Sequence, residues 1–140
     1  MPNTNANYRE DATLVMFENI SRNLPGNPHW EGSFYEQLTE YGIWDKKEFC
    51  LLHRDLILAA NQFKDSAAID KQVACAIVRL QSNVNRLFAA HFNENDVFNI
   101  LDLSNDELHA CKERLDAAVV SVFSGELLTE DAFELADPLR

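Results

Sequence analysis

The chain is poor in residues that interrupt helices and in residues that cross-link a fold. Only four glycines and four prolines occur among 140 residues, and no alternating apolar and polar run is long enough for a sheet. The three cysteines, Cys50, Cys75 and Cys111, are odd in number and have no paired spacing, which argues against a disulfide framework. These absences favour an all-α protein in a reducing compartment, and we expect a cytoplasmic location.

Sequence features of export and of membrane insertion are also missing. The first residues, Met1 to Asp11, contain neither a basic start nor an apolar stretch, so the sequence predicts no secretory signal. No apolar run approaches the roughly 18 residues that span a bilayer. We therefore expect no membrane partner.

Positive charge is scarce, with 12 Lys and Arg residues against 23 Asp and Glu residues and a net charge of −11. Such a field repels nucleic acid and anionic membranes, so we expect no direct nucleic-acid binding. It attracts a cationic protein and raises the encounter rate. Residues 93–140 carry 12 acids and 3 bases, whereas residues 1–92 carry 11 acids and 9 bases. The acidic surface is therefore predicted in the last third of the chain.

Apolar residues at helical spacing predict a single-domain bundle of five or six helices with short capped connections. Residues 1–8 are polar and asparagine-rich and are predicted to be a flexible tail, which leaves one helical domain over residues 9–140. Three helix starts have the spacing of a capping box, in which two side chains satisfy free backbone N–H groups. They are Ser33 with Glu36, Asp45 with Glu48, and Ser104 with Glu107.

Single signals place the remaining elements. A first helix is predicted over about residues 11–24 from its apolar spacing. Asp65 or Ser66 is predicted to cap a long central helix that reaches about Phe92. Residues 94–101 contain the run VFNIL, and a helical turn is predicted there because a lone strand would have no pairing partner.

One segment has the acidic spacing of a calcium loop. Asp102, Ser104, Asp106 and Glu113 occupy its first, third, fifth and twelfth positions. The sixth position must turn sharply and is normally glycine, but here it is Glu107. Since the same residues explain the start of a helix, the sequence predicts no calcium site.

The remaining sequence offers no complete set of metal ligands or catalytic groups. Cys50 and His53 lie three residues apart on one predicted helix, but nothing nearby supplies two further ligands. His91 falls on the apolar stripe of the long helix and is predicted to be a hydrogen-bonded core histidine. A glycine-rich phosphate loop, a G-x-S-x-G turn and an H-E-x-x-H motif are all missing. We predict no metal, no cofactor and no catalytic residue, and an unrecognised helical enzyme stays as an alternative.

Acidic residues gather on one side of the helix predicted after Ser104. At about 100° per residue, Asp106, Glu113 and Asp116 fall together, away from the apolar stripe. Such a face either keeps the protein soluble or docks a basic partner. Further acids on the surrounding short elements are Glu94, Asp96, Asp102, Glu126, Glu130, Asp131 and Glu134. The predicted partner-binding residues are Asp106, Glu113, Asp116, Asp102, Glu130 and Asp131, together with Trp30.

Trp30 is included because of its position in a loop. It lies between Pro25 and Gly32 and has no packing partner evident from the sequence. It either covers an edge of the core or serves as an exposed anchor, a role in which tryptophan is favoured.

Residues 42–56 resemble a known pattern. The run Gly42-Ile43-Trp44-Asp45, continued by Phe49 and Leu52, is similar to the G-x-W-D-x-x-x-F-x-x-L pattern of small helical immunity proteins of bacterial contact-dependent inhibition and related polymorphic toxin systems. The resemblance implies an inhibitor that binds a cationic toxin, such as a nuclease with a basic cleft. Two alternatives stay open: the helical enzyme, and a phage-type inhibitor or nucleic-acid mimic, such as an anti-CRISPR or anti-restriction protein. A mimic would show regular carboxylate spacing along one extended surface.

Overall fold

The structure, a computed structural model, describes residues 12–128. Within that range all regular secondary structure is α-helical, as the sequence predicts. The predicted tail over residues 1–8 lies outside the described range. The helices are α1 (Ala12–Val15), α2 (Glu18–Ser21), α3 (Phe34–Tyr41), α4 (Lys46–Phe63), α5 (Lys71–His91) and α6 (Asn105–Ser124).

The predicted first helix is divided between α1 and α2. Phe17, which lies between them, has φ −113° and ψ 63°, outside the helical region. Its side chain is buried, and its ring centroid lies 6.4 Å from that of Phe63. The prediction of one continuous helix over residues 11–24 is therefore wrong. The helix is interrupted at Phe17, whose backbone is non-helical and whose side chain is buried.

The ends of α3 are the predicted ones. The Ser33 hydroxyl accepts a hydrogen bond from the Glu36 N–H at 3.2 Å, which confirms the cap. The Glu36 carboxylate accepts from the Gly32 N–H at 3.0 Å rather than from that of Ser33, so the predicted capping box is not closed. Gly42 follows the last turn with a left-handed φ of 68°, a conformation that glycine adopts at little cost.

The start of α4 combines a cap with a hydrophobic staple. Asp45 accepts a hydrogen bond from the Glu48 N–H at 3.0 Å, and the rings of Trp44 and Phe49 lie 5.2 Å apart. The Glu48 side chain does not close a capping box, because its carboxylate pairs with Arg22 at 2.6 Å. The predicted start of α4 is confirmed. Through its ion pair with Arg22, Glu48 also holds the segment that follows α2 against α4.

The predicted start of α5 is wrong. Asp70 caps this helix by accepting a hydrogen bond from the Val73 N–H at 3.0 Å. The earlier candidate Ser66 uses its hydroxyl within a local turn, where it donates to the Ala68 carbonyl at 2.6 Å. Asp65 and Ser66 therefore lie in the connection before α5.

Residues 94 and 95 form a single turn, closed by the Asp96 N–H donating to the Asn93 carbonyl oxygen at 3.0 Å, and residues 96–101 are irregular, so the prediction of a helical turn over residues 94–101 is wrong beyond that one turn. The Leu101 N–H donates to the Gly42 carbonyl oxygen at 2.8 Å, and the Ile100 N–H donates to Nδ1 of His91 at 2.9 Å. The side chain of Ile100 is buried. These long-range hydrogen bonds satisfy backbone groups that a helix would pair locally.

Helix α6 packs against both α4 and α5, while α4 also packs against α2 and α3. Leu108, Leu115 and Val122 are buried on one side of α6, and Asp106, Glu113 and Val120 are exposed on the other. The largest fully buried side chains are Trp44, Phe34, Ile20, Leu38, Leu52, Leu56, Ile77, Leu108 and Leu115.

Candidate functional site

A complete capping box fixes the start of α6. The Ser104 hydroxyl accepts from the Glu107 N–H, and the Glu107 carboxylate accepts from the Ser104 N–H, both at 3.2 Å. Lys46 lies 3.3 Å from the same carboxylate. The Ser104 N–H, and next Lys46, lower the pKa of Glu107. The predicted box is confirmed, and its acid is held in the charged form.

His91 ties the end of α5 to the start of α6. Its Nδ1 accepts a hydrogen bond from the Ile100 N–H, so in the neutral ring Nε2 carries the proton. That nitrogen lies 3.1 Å from Oδ1 of Asn105, the first residue of α6. The predicted hydrogen-bonded histidine is confirmed, but the ring is only half-buried and does not belong to the core.

Asp106, Glu113 and Val120 form a row along the exposed side of α6. They are seven residues apart, which is nearly two turns, so successive members are offset by only about 20° around the helix and about 10 Å along it. All three residues are exposed. A parallel row is formed by His109, Asp116 and Phe123.

The two acids of the first row have no partner inside the described part of the chain. Neither Asp106 nor Glu113 forms a side-chain hydrogen bond or an ion pair among residues 12–128. Within the described residues, therefore, nothing competes for these two carboxylates with a cation that approaches from solvent. Two further acids with the same property, Glu94 and Glu126, lie on the segments before and after α6.

Asp116 joins the same face but has two partners. Lys112 lies 2.7 Å from one of its carboxylate oxygens, and Gln81 donates to the other at 3.0 Å. Because Gln81 belongs to α5, this contact links α5 to α6 next to the acidic row. The charge of Asp116 is partly neutralised, so it contributes less to an external field than Asp106 or Glu113 does.

Rings surround His109 in the parallel row. Its imidazole is stacked on Phe92 with a centroid distance of 5.1 Å, and Phe88 meets it edge-on at 5.3 Å. The Lys112 ammonium lies 5.5 Å from the centre of the Phe88 ring. This aromatic cluster fixes the orientation of His109 and Lys112 beside the acids.

The remaining predicted site residues are not gathered into these rows. Asp102 accepts a hydrogen bond from the Trp44 N–H at 2.8 Å, which ties the segment before α6 to the start of α4. Trp30 is half-buried and meets Tyr35 edge-on at 5.9 Å. Glu130 and Asp131 lie outside the described residues.

The loop that carries Trp30 is held in place by Arg22. The guanidinium donates to the carbonyl oxygens of His29 and Glu31, both at 3.2 Å, and pairs with Glu48 on α4. Trp30 is therefore positioned by a fixed loop, with one side of its ring against Tyr35.

An apolar groove lies near the end of α6, about 10 Å along the helix from Glu113 and about 20 Å from Asp106, and the sequence reasoning missed it. The groove has a volume of about 510 Å³ and lies between α5 and α6, where Val78, Val119, Val120 and Phe123 contribute to its lining. Val78 is 53% exposed, Val120 59% and Phe123 45%. The available signal was that all three are apolar residues placed off the buried stripes of their helices.

A second depression follows on the other side of Val120. Its lining includes Asp116, Glu126 and Leu127, and its volume is about 340 Å³. The exposed end of α6 therefore presents apolar surface with carboxylates at its edge. This mixture of an apolar centre and a charged rim is typical of protein-binding surfaces.

The thiols and the calcium-like spacing have structural explanations. Burial raises the pKa of Cys111 to about 11, which keeps that thiol protonated and unreactive. Asp102 and Ser104 are occupied by Trp44 and by the cap of α6. Among the described residues, no three His, Cys, Asp or Glu side chains lie together as metal ligands would.

Within residues 12–128, none of the helices combines the length and the apolar character required to cross a membrane. Comparisons of the chain with protein families, with curated proteins and with solved structures gave no significant match.

Proposed function

We propose that this chain is a protein-binding inhibitor that captures a cationic protein on the exposed face of α6. The observation that carries the proposal is the pair Asp106 and Glu113, which share one side of α6 and have no partner within residues 12–128. An acidic pair on a fixed helix presents charge without first breaking internal ion pairs. A surface that served only solubility would not require the apolar groove at the other end of the same helix face.

The specific form that we propose is an immunity protein for a bacterial toxin domain, such as a nuclease. A nuclease needs a basic cleft to hold phosphates, and an acidic helix face can cover that cleft. The resemblance over residues 42–56 agrees with this role but adds no binding residue. Gly42 ends α3, Trp44 is buried and Asp45 caps α4, so each has a structural role.

In this mechanism, charge sets the rate of association and apolar contact sets the rate of dissociation. The net charge of −11 steers a basic partner toward the protein and raises the association rate. Apolar contacts that exclude water then slow dissociation. Asp106 and Glu113 act in the first step, and neither requires a cofactor.

The arrangement of the row favours protein docking over nucleic-acid mimicry. A mimic requires carboxylates at regular spacing, and the row continues from Asp106 and Glu113 to the apolar Val120. An apolar side chain at that position suits a protein surface better than it suits a site for phosphate-binding residues.

The test is co-expression with the candidate toxin, the product of the gene adjacent to that of this chain. Wild type should protect the cell, and Asp106→Lys combined with Glu113→Lys should lower protection. Glu40→Lys combined with Asp65→Lys is the matched control, because both residues are exposed and the charge change is the same. Absence of both protection and binding by wild type contradicts the immunity role. Equal protection by all three proteins contradicts the assignment of the α6 face.

A further inference from the structure

The α5–α6 groove gathers exposed apolar surface from two helices. Val78 lies on α5, whereas Val120 and Phe123 lie on α6, and each leaves about half of its surface exposed. Single exposed apolar residues are ordinary in soluble proteins. Several that share one shallow, open depression are more typical of an interaction site.

We propose that this groove binds an apolar side chain carried by a basic segment of the partner protein. The inference rests on the proposed function and adds the chemistry of the segment that the partner presents. That segment carries an apolar anchor together with Lys or Arg about two helical turns away, the spacing from Val120 to Glu113.

Charge around the groove selects a basic segment. Glu113 lies seven residues before Val120, and Asp116 lies seven before Phe123. Glu126 lines the adjoining depression. The lining of the groove itself is uncharged; Asp116 and Glu126 line the depression that shares Val120 and Ser124 with it, whereas the exposed Arg79 lines neither. An apolar anchor that enters the groove therefore has a carboxylate about two helical turns away, and Lys or Arg at that distance from the anchor would pair with it.

Two other occupants have the wrong charge. Residues 129–140 of this chain carry four acids and one base, so they would bring like charge to Glu126 and Glu113. A second copy of the chain would bring a net charge of −11 and the same acidic rows. Charge repulsion disfavours both occupants, and charge complementarity favours a cationic partner.

The test measures the binding of three synthetic helical peptides of equal length by fluorescence anisotropy. The first carries leucines at one end of a face and lysines about two turns away. The second replaces the leucines with serine, and the third replaces the lysines with glutamate. Each peptide is added to wild type, to Val120→Ser and to Leu58→Ser. Leu58 is the matched control, because it is 56% exposed and does not line the groove.

Wild type and Leu58→Ser should bind the leucine and lysine peptide about ten-fold more tightly than either control peptide, since an anchor and a charge are both required. Val120→Ser should weaken binding of that peptide about ten-fold. Circular dichroism should show unchanged helix content in both variants. Equal binding of all three peptides, no binding by wild type, or wild-type affinity in Val120→Ser overturns the proposal.

Two further measurements test whether residues 129–140 or a second copy of the chain occupies the groove instead. If Phe133→Ser with Leu135→Ser strengthens peptide binding about ten-fold, the chain's own residues 129–140 occupy the groove and the proposal is overturned. If wild type sediments as a dimer that Val120→Ser dissociates, a second copy occupies it, with the same consequence. Monomeric wild type and unchanged peptide affinity support the proposal.

The outcome is separable from that of the proposed function. If wild type and Val120→Ser protect equally against the toxin while the Asp106 and Glu113 double variant does not, the immunity role stands and the groove inference fails. If wild type gives no protection but its peptide binding depends on Val120, the immunity role fails and the chemistry of the groove stands.

Discussion

Asp102 accepts a hydrogen bond from the backbone N–H of Trp44 at 2.8 Å, across 58 residues of sequence. The bond joins the segment before α6 to the start of α4, where Trp44 is buried. Asp102 was predicted as a partner-binding acid, and the structure gives it a role in folding. Its contribution should therefore appear in stability.

Asp102→Ala should lower the free energy of unfolding by about 1–3 kcal/mol, because the Trp44 N–H loses its acceptor. Asp102→Asn should lose much less, since its amide oxygen can accept the same bond. Urea denaturation of both variants measures the difference. Equal losses would show that the negative charge matters rather than the acceptor atom.

Gly42→Ala should destabilise the protein more than Gly32→Ala. Both glycines have left-handed backbones, with φ of 68° and 81°, so either alanine costs about 1–2 kcal/mol in backbone strain. At Gly42 the added methyl group would also overlap the Asn99 carbonyl oxygen, whereas at Gly32 its nearest neighbour is an Arg22 side-chain nitrogen at 3.7 Å. We expect a total loss of about 2–5 kcal/mol at Gly42. Similar melting temperatures for the two variants would contradict this contact.

Asp55→Asn should gain stability relative to wild type as pH rises. Burial raises the pKa of Asp55 above its ordinary value of 3.8, although the Asn19 N–H, which donates at 2.7 Å, opposes the shift. Because the pKa of Asp55 is higher in the folded protein than in the unfolded chain, the protonated carboxyl contributes stability at low pH. That contribution is lost as pH rises from the unfolded pKa, near 3.8, through the folded pKa. Asparagine keeps an oxygen for Asn19 and does not titrate. A difference in unfolding free energy that is constant with pH, or falls, would contradict the prediction.

The folded protein should expose one rapidly reacting thiol. Cys75 is exposed, while Cys50 and Cys111 are buried, and burial holds the pKa of Cys111 at about 11. Ellman's reagent should therefore modify one thiol quickly in buffer and all three in denaturant. Cys75→Ser is the control and should abolish the fast phase. A fast phase that persists in this variant would contradict the burial of the other two thiols.

Local signals predicted the helix starts well. The box between Ser104 and Glu107 depends on residues within one turn, and the contact of Trp44 with Phe49 is equally local, so both could be predicted from spacing. The start of α5 was missed because Asp65, Ser66 and Asp70 are all good caps. Which of the three begins α5 depends on which side chain accepts a hydrogen bond from a backbone N–H in the first turn, and that residue is Asp70.

Long-range contacts explain most of the other errors. The conformation at the end of residues 94–101 is set by hydrogen bonds to the Gly42 carbonyl oxygen and to His91, and not by the secondary-structure preference of the segment itself. The hydrogen bond that Gln81 donates to Asp116 spans 35 residues, whereas the ion pair that partly neutralises Asp116 is with Lys112, four residues earlier on the same helix. Helical angles placed Asp106 and Glu113 together correctly, because one helix carries both. The groove farther along the same helix depends on how α5 packs against α6, and sequence periodicity does not determine that packing.

The rate of association with the candidate toxin, the product of the gene adjacent to that of this chain, tests the account most directly. It should be measured by stopped flow at several salt concentrations for wild type, for Asp106→Lys with Glu113→Lys, and for the Glu40→Lys and Asp65→Lys control. The α6 double variant should associate about ten-fold more slowly than the control at low salt, and the difference should shrink as salt screens the charges. Dissociation rates should change little. Equal association rates for the two double variants at low salt would contradict the claim that the exposed face of α6 captures a cationic partner.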